Sequence, residues 1–432
     1  MEIQNSTEDE GRTLPPCPPT FGKPMLKYFG LEPGYVNLNS GSYGSPPNYV
    51  LEACAKKSKE IEANPDRFMR LAYYSQLRKA REKVASLIGA DVDDCVLVTN
   101  ATLGVNTVLR NLQWNKDDIL VFTSVTYGGV ERTIKHECDL PHGPRCSSMT
   151  INFPTTKDDI LSNFESHFKS LRRRQGNKIV VVIDGIVSNP GVLLPWEQMV
   201  KICKEEGFVS VVDAAHNIGQ QVGINLRMTD PDFWVSNCHK WLYAKRGCAV
   251  LYVPKRNQHF IKSSIPTSWS YVSPSDPSGH SEAPNFIEQF NENGTADFAP
   301  FLSVIAALEF RDWLGGEDKI NSYCHRLALA GGRKLAELLG TSVMDQDGEF
   351  TANMANVKLP MDDIPVSAAT DSKIMRALFI DWNCYAAHFH HNGSWWVRCS
   401  AQIYNEISDF EYLGRALMRI CEEIRTDAKK VQ

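Results

Sequence analysis

The sequence lacks several features that would assign it to common functional classes. It has no apolar run of about 18 residues, the length that a membrane-spanning helix needs. Its formal net charge is −5, so it has no excess of basic residues for binding nucleic acid. We therefore expect neither a membrane nor a nucleic acid among its partners.

The sequence also lacks any Cys-x-x-C pair, although it contains 12 cysteines. The spacing typical of zinc or redox motifs is therefore absent. Several cysteines, such as Cys95 and Cys248, lie in apolar runs, where cysteine behaves as a small hydrophobic residue. The segment Met1 to Thr13 is polar and acidic, unlike a signal or transit peptide. These patterns predict a cytoplasmic protein with reduced cysteines and no metal ligands.

The chain is long enough for two domains. Its 432 residues are 43% hydrophobic, an ordinary globular composition. The proline-rich start predicts a flexible arm over residues 1–20. We predict a large domain over residues 21–300, to which 21–50 contribute as part of the small domain or as an active-site loop. Residues 301–432 form the predicted smaller C-terminal domain.

Apolar runs that are typical of buried strands alternate with helical patterns through the middle of the chain. The strand-like runs are Cys95–Val98, Ile119–Phe122, Ile179–Ile183, Val209–Val212 and Phe233–Val235. The helical stretches are Val105–Leu112, Val130–Glu137, Ile160–Arg173 and Trp196–Glu206. This alternation predicts an α/β fold with a mostly parallel sheet covered by helices on both faces. Ligands bind such sheets at the carboxyl ends of the strands.

The C-terminal part mixes its elements differently. Helical patterns at about residues 318–339, 370–380 and 408–426 flank short strands at Asn356–Leu359 and Trp395–Cys399. This order predicts a smaller α+β domain.

Lys240 lies between two apolar runs, Asp232–Val235 and Gly247–Val253. A lysine buried there would lose hydration, so its pKa would fall and its amine could act as a neutral nucleophile. Asp213 ends the preceding strand-like run. A lysine and an aspartate on neighbouring strand ends suit pyridoxal phosphate, whose aldehyde bonds to an amine and whose ring nitrogen pairs with a carboxylate. A lone lysine is usually a solvated surface charge, but its flanking strands and Asp213 favour the catalytic interpretation.

The order and spacing of Asp213, His216 and His239–Trp241 resemble the class V aminotransferase family. Within it, the chain resembles isopenicillin N epimerase-like, hercynylcysteine sulfoxide lyase-like and loline-alkaloid-pathway members, from about residue 21 to about residue 417. The resemblance implies a fold-type I pyridoxal-phosphate-dependent enzyme with a seven-stranded type of sheet and a smaller α+β domain. It also implies pyridoxal 5'-phosphate as cofactor, an amino-acid substrate and a homodimer with shared active sites.

The segment Asn100–Asn106 follows a strand and opens a helix. Free N–H groups and the helix dipole attract a phosphate at such a point, and Thr102 adds a hydroxyl. By resemblance, Ala101 and Thr102 contact the cofactor phosphate, and Asn237 and His239 contact the phosphate or the ring. Thr102 could instead only cap the helix.

Four residues are predicted to act on the cofactor ring and the substrate. By resemblance Tyr127 stacks on the pyridine face, and its hydroxyl could pass a proton. Asp213 would keep the ring nitrogen protonated, and His216 would lie near the phenolic oxygen. Lys240 would move protons at Cα of the substrate. The alternatives are that Tyr127 is an ordinary core residue and that His216 caps a turn.

Further residues are predicted to contact the substrate or the second subunit. Arg398 lies in an Arg-x-Ser pattern that matches the family's carboxylate-binding strand, and its guanidinium can hold a carboxylate through two hydrogen bonds. It could alternatively form a structural ion pair. Asn39 and Ser40 belong to a loop predicted to contact substrate. By resemblance, Thr295 reaches the neighbouring subunit's phosphate, although the segment also reads as a plain turn.

Two departures from the resembling proteins bear on the reaction. Ser40 stands where they usually have histidine, and Trp269 stands where they often have histidine. The loss of two titratable groups near the substrate suggests altered proton handling. We therefore hypothesise that a Cα carbanion forms a C–C bond, as in a loline-type cyclase of specialised alkaloid metabolism. C–S elimination, as in the ergothioneine pathway, is the second hypothesis and ranks closely behind the first. Epimerisation is the third hypothesis.

Other functions have weaker support. A cysteine desulfurase would need a nucleophilic thiol, and no compelling motif surrounds Cys384. The histidines at positions 388, 390 and 391 are crowded but lack a helical metal-binding spacing. A cofactor-binding protein without catalysis is unexpected, because Lys240, Asp213 and Arg398 are all present.

Overall fold

A computed structural model describes residues 14–172, 174, 176–273, 275 and 285–431 of the chain. The strands are β1 Val36–Asn37, β2 Cys95–Val98, β3 Ile119–Thr123, β4 Arg145–Met149, β5 Ile179–Asp184, β6 Val209–Asp213, β7 Phe233–Asn237, β8 Ala249–Tyr252, β9 Met354–Lys358, β10 Cys384–Tyr385, β11 Ala387–His391 and β12 Ser394–Ser400.

The helices frame these strands. They are α1 Ser40–Tyr43, α2 Asn48–Ala63, α3 Pro65–Arg67, α4 Tyr73–Leu87, α5 Ala101–Asn111, α6 Gly128–Asp139, α7 Lys157–Ser170, α8 Trp196–Glu205, α9 Leu226–Thr229, α10 Phe286–Asn291, α11 Ala299–Leu314, α12 Gly316–Leu339, α13 Ala368–Arg376 and α14 Ile407–Val431. Short 3-10 helices span Lys23–Tyr28, Val92–Asp94 and Lys255–Phe260, and π-helical turns span Phe68–Ala72 and Ala377–Asp381.

A seven-stranded sheet forms the centre of the molecule, in the order β2-β8-β7-β6-β5-β3-β4. β8 runs antiparallel to both of its neighbours, and the other pairs are parallel. Both faces of the sheet are buried, which is why its strands are almost continuously apolar. This arrangement confirms the predicted α/β fold with a mostly parallel sheet.

The edge strand β4 was not predicted from the sequence. Its residues, Arg145-Cys146-Ser147-Ser148-Met149, are mostly exposed. It pairs with β3 along one side only, so the sequence of an edge strand need not be apolar. A polar run of this kind carries no signal of buried strand.

A second core surrounds the C-terminal elements. β11, β12 and β9 form an antiparallel sheet, against which α12 and α14 pack. β1 pairs in parallel with β10, and Leu38 lies in the same core, so the segment before α2 joins the C-terminal elements. α11 instead packs against α2 and α4 in the core of the large sheet.

The first described residues pack against α11, where Pro15 contacts Trp313. Its indole Nε1 donates a hydrogen bond of 2.7 Å to the carbonyl oxygen of Pro15. Residues 1–13 of the predicted flexible arm lie outside the described residues. Among those that are described, no helix has both the length and the apolarity needed to cross a bilayer.

Candidate active site

A cavity of about 180 Å³ opens at the carboxyl ends of β5, β6 and β7 and at the start of α5. It is lined by Ser42, Asn100, Ala101, Thr102, Tyr127, Asp184, Ile186, Ser188, Asp213, Ala215, His216, Asn237, His239 and Lys240. The structure therefore brings together eight residues predicted for the site: Ala101, Thr102, Tyr127, Asp213, His216, Asn237, His239 and Lys240. Parallel strands that end at one edge of a sheet account for this convergence.

The amine of Lys240 is held by His216, whose ring also contacts Trp241. Lys240 Nζ lies 2.9 Å from His216 Nε2, and Trp241 Nε1 donates a hydrogen bond of 3.3 Å to His216 Nδ1. The indole N–H can only donate, so Nδ1 accepts and Nε2 carries the proton of the neutral imidazole. In this tautomer Nε2–H donates to the lone pair of the uncharged amine. The contacts therefore suit Lys240 in its uncharged form.

The electrostatics of the cavity bring the uncharged form of Lys240 within reach of neutral pH. Burial, partly opposed by the negative charge of Asp213 and reinforced by Arg398, lowers the pKa of Lys240 to about 8. Burial also lowers the pKa of His216 well below its usual value, with the charge of Lys240 acting in the same direction. The imidazole is therefore neutral in the free site, and the amine loses its proton far more easily than a solvated lysine does.

Asp213 supplies a buried carboxylate on the cavity wall. Its side chain is 4% exposed, and Oδ1 accepts a hydrogen bond of 3.1 Å from the backbone N–H of Ala215. Burial raises its pKa, and Lys240 opposes that rise. A buried carboxylate whose charge is balanced by few protein groups is suited to pair with a cationic N–H group of a ligand.

The start of α5 forms the part of the wall that suits an anion. Asn100 caps the helix, because its Oδ1 accepts a hydrogen bond from the N–H of Leu103, and Asn237 Oδ1 accepts one from the N–H of Ala101. Thr102 is exposed in the cavity between them. Its position at the positive end of the helix dipole favours a phosphate.

His239 is fixed beside this anion site. Its Nδ1 lies 2.9 Å from the carbonyl oxygen of Cys248, which can only accept, so Nδ1 donates. Nε2 of the neutral ring is then an acceptor. Burial lowers the pKa of His239 to about 4, which keeps the ring neutral.

Arg398 lies behind the cavity wall and does not line it. Its guanidinium donates to the carbonyl oxygen of Ser188, to Asn39 Oδ1 and to Ser42 Oγ at 2.5 Å, 2.9 Å and 2.8 Å. Its Nε is buried and has no partner among the described residues. Burial lowers the pKa of Arg398 to about 10, so the group stays charged at neutral pH. A buried cation that contacts no carboxylate in these bonds fits the expected binding of a substrate carboxylate.

Several residues that the sequence singled out lie away from the cavity. Ser40 is buried, and its Oγ has no hydrogen-bond partner in the described structure. Trp269 is 78% exposed on the outer surface, and Thr295 lies in an exposed turn. The predicted role of Thr295 is toward a second subunit and stays a prediction.

The cavity does not support the two alternative hypotheses, a catalytic thiol and a metal site. All 12 cysteines fall within the described residues, and none of them lines the cavity. Burial raises the pKa of Cys384 to about 12, which suppresses its thiolate. His388 faces Asp371, and within the described ranges no group of three or more His, Cys, Asp or Glu side chains could hold a metal ion.

Sequence reasoning missed three polar residues of the wall. Ser42 and Ser188 connect the cavity to Arg398, and Asp184 lies next to Asp213 in strand register. Asp184 could have been found from the sequence, because it directly follows the apolar run Ile179–Ile183, as Asp213 follows its own run. Ser42 gives no such signal, because the sequence of a loop does not show which of its serines turns toward Arg398.

The arrangement fits pyridoxal 5'-phosphate group by group. An uncharged lysine suits the aldehyde, the buried carboxylate of Asp213 suits the ring nitrogen, and the start of α5 suits the phosphate. The fold and the site together therefore define a pyridoxal-phosphate-dependent enzyme.

The chain belongs to the aminotransferase class-V family, which its residues 36–413 match. It is 36% identical to the L-cysteine desulfhydrase-like protein lolT1 of Epichloe uncinata, covering 94% of this chain and 96% of that protein. It is 32% identical to hercynylcysteine sulfoxide lyase of Schizosaccharomyces pombe, covering 93% of this chain and 98% of that protein. The predicted family, enzyme class and cofactor are thereby confirmed.

The fold also matches solved structures. The structure of the cystine C–S lyase C-DES with its product cysteine persulfide superposes with a TM-score of 0.74, covering 92% of this chain and 99% of that chain. The two sequences are 16% identical, so this likeness speaks for the fold alone.

Proposed function

We propose that this enzyme removes the Cα proton of an α-amino acid and then expels a sulfur group from the β carbon, as a C–S lyase. The observation that carries the proposal is Lys240, which lines the cavity, contacts His216 and has a pKa lowered to about 8. When bound, pyridoxal phosphate withdraws electrons from Cα and so eases loss of its proton.

Each residue has a distinct part in this proposal. Arg398 binds the substrate carboxylate, exchanging the contacts that it makes with Asn39 and Ser42 in the free site. The amine of Lys240 accepts the Cα proton. The C–S bond then breaks, its electron pair leaves with sulfur, and the sulfur takes up a proton. Addition of water to the remaining fragment gives pyruvate and ammonia.

The absence of cysteine from the cavity wall favours elimination over desulfuration. A desulfurase needs a thiolate that attacks the substrate's sulfur. None of the cysteines, all of which are described, lines this cavity. Proton removal at Cα needs no such thiol.

C–C bond formation at Cα, in the manner of a loline-type cyclase, is the second candidate. It rests on the sequence resemblance to loline-alkaloid-pathway proteins, whereas the name of the 36% identical lolT1, L-cysteine desulfhydrase-like, describes C–S cleavage. The argument from lost histidines gives it little support, because Ser40 lies off the cavity wall and Trp269 is exposed outside it. A role in alkaloid metabolism would follow from this second candidate.

The products distinguish these candidates. Purified holoenzyme is incubated with cysteine, S-alkyl cysteines and cysteine sulfoxides, and pyruvate, ammonia and thiol are measured. A lyase releases pyruvate, ammonia and one sulfur product in equal amounts, and that product is hydrogen sulfide from cysteine, a thiol from an S-alkyl cysteine and a sulfenic acid from a sulfoxide. Intact substrate with inverted Cα would indicate an epimerase. Consumption of substrate without pyruvate, and only when a cyclic iminium is added, would overturn the lyase proposal in favour of C–C coupling.

Arg398→Gln provides the matched variant. Loss of a charge-assisted carboxylate contact of roughly 1.5–3 kcal/mol should raise KM by about 10- to 150-fold. Arg333→Gln, on an exposed part of α12, serves as the control. Equal KM values for Arg398→Gln and wild type would remove Arg398 from substrate binding.

We also propose that the enzyme is a cytoplasmic homodimer with shared active sites. Tyr74, Trp269 and Met69 form the apolar part of one surface depression, which Asp66, Arg70 and Glu292 also line, and neighbouring Leu71 is 79% exposed. Apolar surface of this kind is typically covered by a partner.

The proposed cytoplasmic location rests on a separate observation. The 12 free cysteines fit a reducing compartment.

A further inference from the structure

Two carboxylates, not one, lie side by side on the cavity wall. Asp184 ends β5 and Asp213 ends β6, and the two residues are direct partners in the parallel register. Both line the cavity, with exposed fractions of 2% and 4%. The chemistry described above gives a role to Asp213 alone.

The contacts of Asp184 connect it to the turn that carries Tyr127. Its Oδ2 accepts a hydrogen bond of 2.8 Å from Thr126 Oγ1. Thr126 Oγ1 in turn accepts one of 3.2 Å from the backbone N–H of Thr123, which closes the turn at the end of β3. The next residue is Tyr127, which lines the cavity and is 48% exposed. Asp184 therefore holds the turn between Thr123 and Tyr127 through its hydrogen bond with Thr126.

We propose that Asp184 is a positioning residue for the bound cofactor. It orients the turn that carries Tyr127, and its negative charge adds to that of Asp213 in stabilising a protonated ring nitrogen. The inference concerns the cofactor ring and holds for elimination, coupling or epimerisation alike.

The electrostatics of the free site support this role. Burial first, and the neighbouring charge of Asp213 second, raise the pKa of Asp184 to about 7. Two buried carboxylates at adjacent strand ends resist simultaneous ionisation, and a cation between or beside them relieves that repulsion. The titratable groups around the same cavity are Asp213, Tyr127, His216, His239 and Lys240.

The first test uses the protein without cofactor. The pKa of Asp184 is higher in the folded than in the unfolded state, so the folded protein binds more protons between about pH 4 and about pH 7. Its contribution to stability is therefore lost as the pH rises through this window. Asp184→Asn removes this loss, so the variant should gain stability relative to wild type from pH 5 to pH 8 in urea unfolding. A constant difference across the pH range would overturn the assignment of an ionising Asp184.

The second test uses the loaded protein and its visible absorbance. Asp184→Asn keeps an acceptor for Thr126 but removes the charge, so the midpoint of the pH titration of the cofactor band should fall by roughly one unit. Thr126→Val keeps the carboxyl group of Asp184 and removes a hydrogen bond that lowers its pKa. It should change the visible circular dichroism of the cofactor and move the midpoint less than Asp184→Asn does.

The two variants separate the two parts of the role. An unchanged midpoint in Asp184→Asn would contradict the electrostatic part, and an unchanged dichroism in Thr126→Val would contradict the orienting part. Product formation enters neither measurement, so a wrong assignment of the reaction leaves both tests valid.

Discussion

His216 connects Lys240 to Trp241. Trp241 can only donate to His216 Nδ1, and this leaves the protonated Nε2 facing Lys240 Nζ. The residue that follows the lysine in sequence therefore favours the tautomer that donates to the uncharged amine. Burial and the positive charge of Arg398 also lower the pKa of Lys240, and the charge of Asp213 opposes them.

Attachment of pyridoxal phosphate to the cofactor-free protein should depend on pH through Lys240. Because the uncharged amine is the nucleophile and its pKa is lowered to about 8, the rate should rise with pH and level off above that value. Stopped-flow absorbance at a series of pH values measures it, with Lys240→Ala as the blank. A midpoint near that of free lysine, about 10.4, would contradict the buried, uncharged amine.

Trp241→Phe should shift this midpoint upward. Without the indole N–H, His216 can take the other tautomer, in which Nε2 accepts a hydrogen bond from the lysine ammonium group, and this stabilises the charged amine. Trp196→Phe is the matched control, because Trp196 is also buried and its Nε1 donates to Gln221 outside the cavity. Equal midpoints in the two variants would mean that Trp241 does not set the tautomer.

At the scale of elements, the loop that precedes α2 is pressed against the segment that carries the lysine. Gly44 has φ of +70°, and a Cβ on it would lie 1.7 Å from the carbonyl oxygen of His239. Ser42, two residues earlier, touches Arg398. The loop thus bridges the lysine segment and β12, the strand that carries Arg398.

Gly44→Ala should destabilise the protein by more than about 2 kcal/mol, because left-handed strain adds to a backbone clash. Gly207→Ala is the control, since Gly207 also has φ of +70° but a Cβ there would meet nothing within 4 Å. It should lose only about 1 kcal/mol. Urea unfolding measures both, and equal losses would show that the loop is not pressed against His239.

The sequence predicts a strand well when both faces of that strand are buried, and poorly when the strand lies at an exposed edge of the sheet. β2, β3, β5, β6 and β7 were recognisable because both of their faces are covered, whereas β4 was missed because it is a polar edge strand. Predicted strands also stopped one or two residues early. β5 runs on to Asp184, so the second carboxylate of the cavity was left outside the predicted strand.

Parts of the site depend on tertiary contacts that no local pattern contains. The approach of Arg398 to Ser188 and Ser42 joins residues far apart in the chain, and only the resemblance to a family suggested a role for Arg398. The tautomer of His216 likewise follows from distances. Lys240 and Asp213, in contrast, were predictable because strand ends converge in parallel sheets.

At the scale of the whole molecule, the proposed dimer should be measurable in solution. Trp269→Asp places a charge on the exposed apolar depression that includes Tyr74, so it should weaken self-association. Sedimentation velocity over a range of concentrations measures the change, and Met228→Asp, at another exposed apolar residue, is the control. A wild-type protein that sediments as a monomer at all concentrations would contradict shared active sites.

The most direct measurement of the central claim is exchange of the Cα proton. Holoenzyme is incubated in heavy water with S-substituted cysteines and with non-eliminating amino acids such as alanine, and mass spectrometry follows deuterium at Cα. We predict incorporation into recovered substrate with the wild type and none above background with Lys240→Ala. Wild-type protein that binds the cofactor but incorporates no deuterium into any amino acid would contradict Lys240 as the base that acts at Cα.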